Sequence, residues 1–312
     1  RGLMQHYSSL DNPCLLASWV AVGVFDGVHR GHQALLSHLA AGAHAAGLPA
    51  AVVTFHPHPA VALGKVQPPF YLTSPQQRAE QLSSLGIDAL VTLPFNASLA
   101  QVEAEAFMRQ LIRALGLRRL LVGEGFALGR GRQGDIPTLQ KLGETLGYSL
   151  EVVQPQQSAD EIISSSRARA LLTQGDLPQV AALLGRPYRI AGPVVHGDGR
   201  GRTLGIPTAN IAPWPEQLLP PAGVYATWFT LKNQRYPSVT NIGYRPTFLA
   251  QAPSPRVETL VFDFERDIYG VDVELDFITR LRPEQRFPSP AELIAQIQRD
   301  IQNARETLSH DS

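Results

Sequence analysis

The sequence predicts an α/β domain built on a parallel sheet, followed by a mostly β domain with antiparallel strands. Its length of 312 residues is long for one domain and ordinary for two. In the first half, short apolar segments such as 51–55 and 89–93 alternate with helical segments, as in strands covered on both faces. Beyond about residue 185 the strands lengthen, and residues 271–277 alternate between apolar and acidic side chains. That period of two is typical of a half-exposed antiparallel strand, so we expect domains at 1–185 and 186–312.

The elements of the first domain follow from local signals. Apolar segments bounded by glycine or polar residues predict strands at 19–24, 51–55, 89–93, 120–122 and 150–153. Helices are predicted between them: one that ends at Gly47, one from Pro75 to about Gly86, and others at 103–115 and 137–146. The clearest helix start is Ser74-Pro75-Gln76-Gln77, which supplies an N-cap, a proline at the first helical position and a capping-box glutamine.

The second domain is framed by helices. Two short helices, around 166–173 and 177–184, end the first domain, and a final helix begins at about Ala291. Between them, Gly223–Leu231 and 271–277 predict strands. Stretches rich in proline and glycine, at 192–205 and 213–223, are predicted to be binding loops.

Composition and charge exclude several classes of protein. A formal net charge of zero argues against nucleic-acid binding through bulk positive charge. The single cysteine, Cys14, excludes an intrachain disulfide and a cysteine-rich metal site. The longest apolar run, about 15–25, is far shorter than a membrane span and lacks a signal-peptide pattern. We therefore expect a cytoplasmic protein without nucleic-acid or membrane partners, and we interpret residues 1–10 as an extension ahead of the fold.

The segment Gly23-Val-Phe-Asp-Gly-Val-His-Arg-Gly-His32 lies where a predicted strand passes into a helix. Ligands of open α/β sheets bind beyond the carboxyl ends of the strands, and helix N-termini there bind phosphates. Two imidazoles, on His29 and His32, can stabilise charge on a transferring phosphate. The segment resembles the His-x-Gly-His signature of nucleotidylyltransferases. The alternatives are two solvated histidines, or a zinc site that also uses His56 and His58.

Two further segments carry phosphate-binding chemistry. Ile163-Ser-Ser-Ser-Arg-Ala-Arg169 opens a helix with hydroxyls and arginines, which fits either a triphosphate clamp or a serine-capped helix with a solvated face. Gly197-Asp-Gly-Arg-Gly-Arg-Thr-Leu-Gly205 supplies glycines and arginines that can wrap phosphates. It leads to Thr208 and Asn210, whose oxygen atoms suit Mg²⁺ beside phosphates. Glu258, on a predicted strand, is either a base or an outward-facing charge.

Together these strings identify a resemblance to the bacterial bifunctional riboflavin kinase/FAD synthetase family. The likeness runs from about Trp19 to about Arg305. Besides the segments above, it is carried by Thr-Phe-His-Pro-His-Pro at 54–59, Leu-Gly-Arg-Pro-Tyr at 184–188, Pro-Thr-Ala-Asn at 207–210, Asn-Ile-Gly-Tyr-Arg-Pro-Thr at 241–247 and the segment 258–270. The resemblance implies a Rossmann-like nucleotidylyltransferase domain, and then a six-stranded antiparallel flavokinase barrel with a terminal helix.

The resemblance also implies two ATP-dependent reactions and their residues. The C-terminal domain would phosphorylate riboflavin to FMN with Glu258 as general base, and the N-terminal domain would adenylylate FMN to FAD and release pyrophosphate through His29 and His32. Mg²⁺ would be held by Thr208 and Asn210 with the ATP phosphates. Flavin would be bound by His58, Asn241 and Arg245. ATP or its phosphates would be bound by Gly23, Phe25, Asp26, Gly31, Ser165, Arg167, Gly199, Gly201, Arg202 and Asn210.

The chain departs from the family's usual residues at three positions. His56 stands where the family has an acidic residue, Gly125 where it has Asp or Asn, and Ser166 where it has threonine. The Gly125 departure leaves open a riboflavin kinase whose N-terminal domain binds nucleotide but transfers AMP poorly. A flavin carrier without turnover would not need Glu258, Thr208 or Asn210. An adenylyltransferase for another acceptor would leave the second domain unexplained.

Overall fold

The structure is a computed structural model that describes residues 3–11, 15–154, 157–158, 161–197, 206–244 and 255–310. The chain divides into two compact units, residues 1–68 with 73–165, and residues 69–72 with 166–312. Helices α7 (Ser165–Gln174) and α8 (Leu177–Leu184) lie almost wholly in the second unit by this division. The domain boundary expected at residue 185 stays a prediction.

The first unit is built on a six-stranded parallel sheet, as predicted. In spatial order the strands are β1 (Gln5–Tyr7), β4 (Ala89–Pro94), β3 (Ala50–His56), β2 (Ser18–Val22), β5 (Leu117–Gly123) and β6 (Ser149–Val153). A two-stranded ribbon, β7 (Gln157–Ser158) with β8 (Glu161–Ile162), follows. The interpretation of residues 1–10 as an extension is wrong for residues 5–7, because β1 pairs in parallel with β4.

Helices cover both faces of the parallel sheet. They are α1 (Arg30–Ala45), α2 (Pro59–Ala62), α3 (Pro75–Ser84), α4 (Ala97–Ala100), α5 (Ala104–Leu115) and α6 (Ile136–Leu146). One core joins α1 and α3 to alternate strand residues such as Ala21 and Val52. The other joins α5 to the intervening residues, such as Val20 and Val53. Because the central strands β2, β3 and β4 bury both of their faces, their sequences are almost continuous apolar runs.

The second unit contains a closed barrel of six antiparallel strands with a terminal helix, as the resemblance implied. Around the barrel the strands are β10 (Ala209–Ile211), β13 (Pro255–Val261), β12 (Gln234–Tyr244), β11 (Gly223–Leu231), β14 (Asp272–Pro283) and β9 (Tyr188–Val195), which pairs back to β10. The terminal helix is α9 (Pro290–Ser309). Residues 192–195, predicted as part of a binding loop, belong instead to β9, where they pair with β14 and β10.

The two faces of the barrel wall carry different side chains. On the inner face Thr227, Thr240 and Thr259 are fully buried, and their hydroxyl groups form a chain of hydrogen bonds with Oγ–Oγ distances of 2.7 and 2.9 Å. Residues of opposite parity on the same strands, such as Val224 and Val239, pack against α9. Side chains alternate along a strand, so the residues next to these threonines lie on the outer face.

A partly buried ion pair attaches α9 to the barrel. The guanidinium of Arg282 on β14 donates to both carboxylate oxygens of Asp300 on α9, at 2.8 to 3.1 Å. Asp300 is buried and also accepts a hydrogen bond from Gln296 at 3.0 Å. This geometry fixes the face of α9 toward the barrel.

Within the described residues, no helix combines the length and apolar character that crossing a membrane requires.

Candidate active sites

The loop between β2 and α1 has an unusual backbone. Phe25 and Val28 have positive φ angles of 52° and 38°, and Gly27 between them has 78°. A positive φ is rare for a residue with a side chain and is an outlier for a β-branched one. The loop contains the predicted motif, which begins just after the carboxyl end of β2 and continues into α1.

The two histidines of the motif stack at the start of α1. The rings of His29 and His32 lie 3.6 Å apart between centroids and are inclined by 17°. His29 is the N-cap of the helix, and its Nδ1 accepts a hydrogen bond from the backbone N–H of His32 at 3.2 Å. A ring nitrogen that accepts carries no proton, so neutral His29 has its proton on Nε2 as a donor. Gly31 leaves room for this arrangement, since a Cβ there would lie 3.2 Å from the His29 ring.

His32 is held in its neutral form. Burial, together with the neighbouring His29 and Arg78, lowers the pKa of His32 well below its ordinary value of 6.5. Its Nδ1 is buried and has no hydrogen-bond partner among the described residues, and Phe25 contacts the ring edge-on at 5.1 Å. A neutral imidazole at pH 7 acts as a hydrogen-bonding group rather than as a fixed cation.

Predicted residues from distant strings lie at the same edge of the sheet. Ser165 donates from Oγ to the backbone carbonyl of Asp26 at 2.8 Å. His58 follows β3, which is adjacent to β2, and caps α2 by accepting from the N–H of Ala60 at 2.9 Å. The carboxylate of Asp26 is fully buried and accepts from Thr73, so its predicted contact with ATP stays a prediction.

Gly125 lies in a turn just after β5, the other neighbour of β2. Its φ of 70° is in the left-handed region, which Gly, Asn and Asp adopt more readily than other residues. A Cβ at this position would meet nothing within 4 Å. The backbone conformation of Gly125 is therefore one that Asp and Asn also adopt, and glycine at this position offers no polar side chain.

In the barrel, three predicted residues form a row on adjacent strands. Glu258 on β13 is directly opposite Asn210 on β10 and directly opposite Asn241 on β12. Residues opposite one another in an antiparallel pair project to the same side, with Cβ atoms about 4.5–5.5 Å apart. The row lies on the outer face, because Thr240 and Thr259 next to it face the interior. Asn210 and Glu258 are 48 positions apart in the sequence, and the sheet register brings all three residues together.

Two further residues lie next to this row, and the sequence analysis did not place them there: one pairs with the Glu258 carboxylate, and the other packs against the Asn210 amide. Arg256, two residues before Glu258 on β13, lies 3.6 Å from its carboxylate. Gly197 lies against Asn210, because a Cβ at Gly197 would come within 2.2 Å of the amide. The alternation of β13 could have indicated Arg256. Gly197 begins the glycine-rich segment of the sequence analysis, but its contact with Asn210 depends on the pairing of β9 with β10.

The donors of this row fit Mg²⁺ with ATP phosphates. Thr208 precedes β10 by one residue, and Asn210 offers an amide oxygen beside the Glu258 carboxylate. Mg²⁺ commonly takes one or two protein oxygens with substrate phosphates and waters. Among the residues that the structure describes, no three His, Cys, Asp or Glu side chains group as a metal site of their own. Gly199, Gly201, Arg202 and Arg245 lie outside the described residues.

The fold and the two sites define a two-unit protein of the phosphate-transferring class, with an α/β nucleotide-binding unit and a β-barrel unit. The FAD synthetase family model matches residues 12–167, and the riboflavin kinase family model matches residues 184–308. The chain belongs to the bifunctional riboflavin kinase/FMN adenylyltransferase family.

Relatives with this name match almost the whole chain. The protein of Bacillus subtilis is 38% identical over 92% of this chain and 91% of its own. That of Escherichia coli K12 is 36% identical over 98% and 96%. A crystal structure from Streptococcus pneumoniae, described as a macrolide-efflux protein, has a TM-score of 0.89 and 29% identity over 97% of this chain and 99% of that one.

Proposed function

We propose that the chain makes FMN and then FAD. The barrel unit transfers the γ-phosphoryl group of ATP to riboflavin. The α/β unit joins FMN to the AMP part of a second ATP and releases pyrophosphate. Membership of the family supports both activities. The observation that carries the proposal is the row Asn210–Glu258–Asn241, a base beside oxygen donors, assembled from three separate strands.

In the kinase reaction, Glu258 takes the proton of the ribityl hydroxyl as its oxygen attacks the γ-phosphorus and ADP leaves. The ion pair with Arg256 orients the carboxylate on the outer face of the barrel. Asn241 hydrogen-bonds the flavin at the other side of Glu258. Thr208 and Asn210 would hold Mg²⁺, which would supply positive charge to neutralise the phosphates.

In the adenylyl transfer, a phosphate oxygen of FMN attacks the α-phosphorus of ATP, and pyrophosphate leaves. The Nε2–H of His29, the neutral ring of His32 and the first N–H groups of α1 stabilise the negative charge on the phosphates. Gly23 and Gly31 keep the backbone close to the nucleotide, and His58 contacts FMN from the end of the adjacent strand. Ser165 supports the loop through the Asp26 carbonyl.

The substrates of this proposal are the small molecules riboflavin, FMN and ATP. The name of the Streptococcus structure indicates macrolide efflux, whereas both family models and both curated relatives name flavin-converting enzymes. The histidine pair of the first unit and the row Asn210–Glu258–Asn241 favour flavin conversion. The cytoplasmic location and the roles of Phe25 and Arg167 in ATP binding stay predictions.

One incubation tests both activities. The full chain is mixed with riboflavin, ATP and Mg²⁺, and the flavins are separated by chromatography over time. We expect FMN to appear first and FAD to follow. If FMN forms but no FAD does, even when FMN and fresh ATP are added, the chain is a riboflavin kinase whose first unit has only a weak nucleotide site. No conversion of riboflavin or FMN would contradict the proposal.

Replacing Gly125 by asparagine is expected to raise the kcat/KM for FAD synthesis about two- to tenfold. The left-handed backbone and the open space accept asparagine, and one added hydrogen bond is worth about 0.5–1.5 kcal/mol. The measurement is FMN adenylylation at subsaturating ATP and FMN. Gly125→Ala is the control for the added Cβ, and the melting temperatures of both variants are compared because alanine is more strained than asparagine at this positive φ. An equal rate for both variants would show that the position touches no substrate.

A further inference from the structure

The loop that carries the histidine motif needs external support. Phe25 and Val28 hold positive φ angles, at 52° and 38°. Residues in such conformations persist only where the surrounding structure fixes them. The loop also leads directly into the N-cap residue His29, so any relaxation of the loop moves both imidazoles.

The hydroxyl of Thr73 holds the middle of this loop. Thr73 Oγ1 donates to Asp26 Oδ1 at 3.1 Å and accepts from the backbone N–H of Gly27 at 3.1 Å. The backbone N–H of Thr73 donates to the same carboxylate oxygen at 3.1 Å. Thr73 and Asp26 are both buried, at 4% and 0% exposure, so these bonds do not compete with water.

Arg78, in the first turn of α3, contacts the beginning of the same loop. Its Nη1 donates to the backbone carbonyl of Val24 at 3.2 Å, and the side chain is buried. Thr73 and Arg78 keep a fixed separation because Ser74 and Gln77 form a complete capping box between them. The start of α3 thus contacts the loop on both sides of Phe25.

We propose that Thr73 and Arg78 are positioning residues for adenylyl transfer, which hold residues 24–28 so that His29 and His32 face the nucleotide phosphates. This inference rests on the proposed FAD synthesis and adds two residues that act through the loop rather than by touching substrate. A displacement of about 1 Å at a reacting centre can lower a rate about 100-fold, so the support is expected to act on kcat.

The test compares Thr73→Val with Thr73→Ser in the full chain. Valine keeps the shape and removes the hydroxyl, whereas serine keeps both hydrogen bonds. We expect Thr73→Val to lower the kcat of FMN adenylylation about 10- to 100-fold, with the KM for FMN within about threefold of the parent. Thr73→Ser is expected to retain at least about a third of the parental kcat. The melting temperature of the full chain and the KM for FMN report whether the α/β unit that contains Thr73 is folded, because riboflavin phosphorylation uses the other unit.

Arg78→Met, with Arg78→Lys as its control, repeats the test at the second contact. Lysine keeps a positive donor, so we expect it to retain more of the kcat than methionine does. A parental kcat for Thr73→Val would overturn the inference. So would a loss of adenylylation in Thr73→Val that comes with a clearly lower melting temperature and a raised KM for FMN, because that pattern belongs to a purely structural residue.

His29→Asn, measured beside these variants, separates the two proposals. If His29→Asn still makes FAD at the parental rate, the proposed adenylyl-transfer site is wrong. If His29→Asn loses the activity while Thr73→Val keeps it, only the positioning role is wrong.

Discussion

Replacing Glu258 by glutamine is expected to lower the rate of riboflavin phosphorylation about 10²- to 10⁴-fold, the usual contribution of a general base. Glutamine keeps the size and the hydrogen-bonding reach of the side chain but cannot take the ribityl proton at neutral pH. The site should stay assembled, because cross-strand pairing with Asn210 and Asn241 is made by the backbone. Riboflavin binding, followed by flavin fluorescence, should change less than about threefold.

The same preparation supplies a control for the Glu258 variant. FMN added directly should still be converted to FAD at the parental rate, because that reaction uses the other unit. Glu306→Gln is the matched substitution, since Glu306 is an exposed glutamate on α9 that bonds Gln302. A parental kinase rate for Glu258→Gln would remove Glu258 from the role of base and leave it as an outward-facing charge.

His29→Asn is expected to lower FAD synthesis about 10²- to 10³-fold, the usual cost of removing one donor that stabilises transition-state charge. Asparagine is a good N-cap, so its side-chain oxygen can accept from the His32 N–H as Nδ1 does now. It is too short to replace the Nε2–H. The variant therefore separates the capping role of His29 from its role toward phosphate.

Stability and pH measurements complete the His29 experiment. The melting temperature of His29→Asn should stay within a few degrees of the parent, since the cap is kept. His29→Ala should melt lower, because losing a cap costs about 1 kcal/mol. Since the pKa of His32 lies well below 6.5, lowering the pH from 7.5 to 6.5 should not charge His32. An adenylylation rate in His29→Asn equal to that of the parent would contradict the proposed donor.

Local signals in the sequence predicted most individual elements. The capping box at Ser74 to Gln77 is present as predicted, and α8 begins and ends at the predicted residues. The five strands predicted in the first unit match β2 to β6 within three residues at each end, because most of them are short apolar runs, whereas the two-residue strands β7 and β8 were not predicted. In contrast, β1 was missed: a three-residue edge strand is too short to show a period.

The candidate sites divide in the same way. The motif strings, together with the family resemblance that they carry, predicted His29, His32, Asn210, Asn241 and Glu258 as site residues, and these assignments stay predictions. The supports of these residues were not identified. Thr73 is 44 positions from His29, and its role depends on a hydrogen bond to a loop it does not adjoin.

The sequence by itself determined the residue types, the order of the elements and the two families of motif, since propensity, capping and alternation act over a few residues. Only the tertiary structure decided which residues meet. The register of β10, β13 and β12 placed Asn210, Glu258 and Asn241 side by side, and the packing of the α3 start on the β2–α1 loop placed Thr73 against Asp26. Those contacts depend on long-range backbone pairing and burial, and their free energy appears only once the chain has folded.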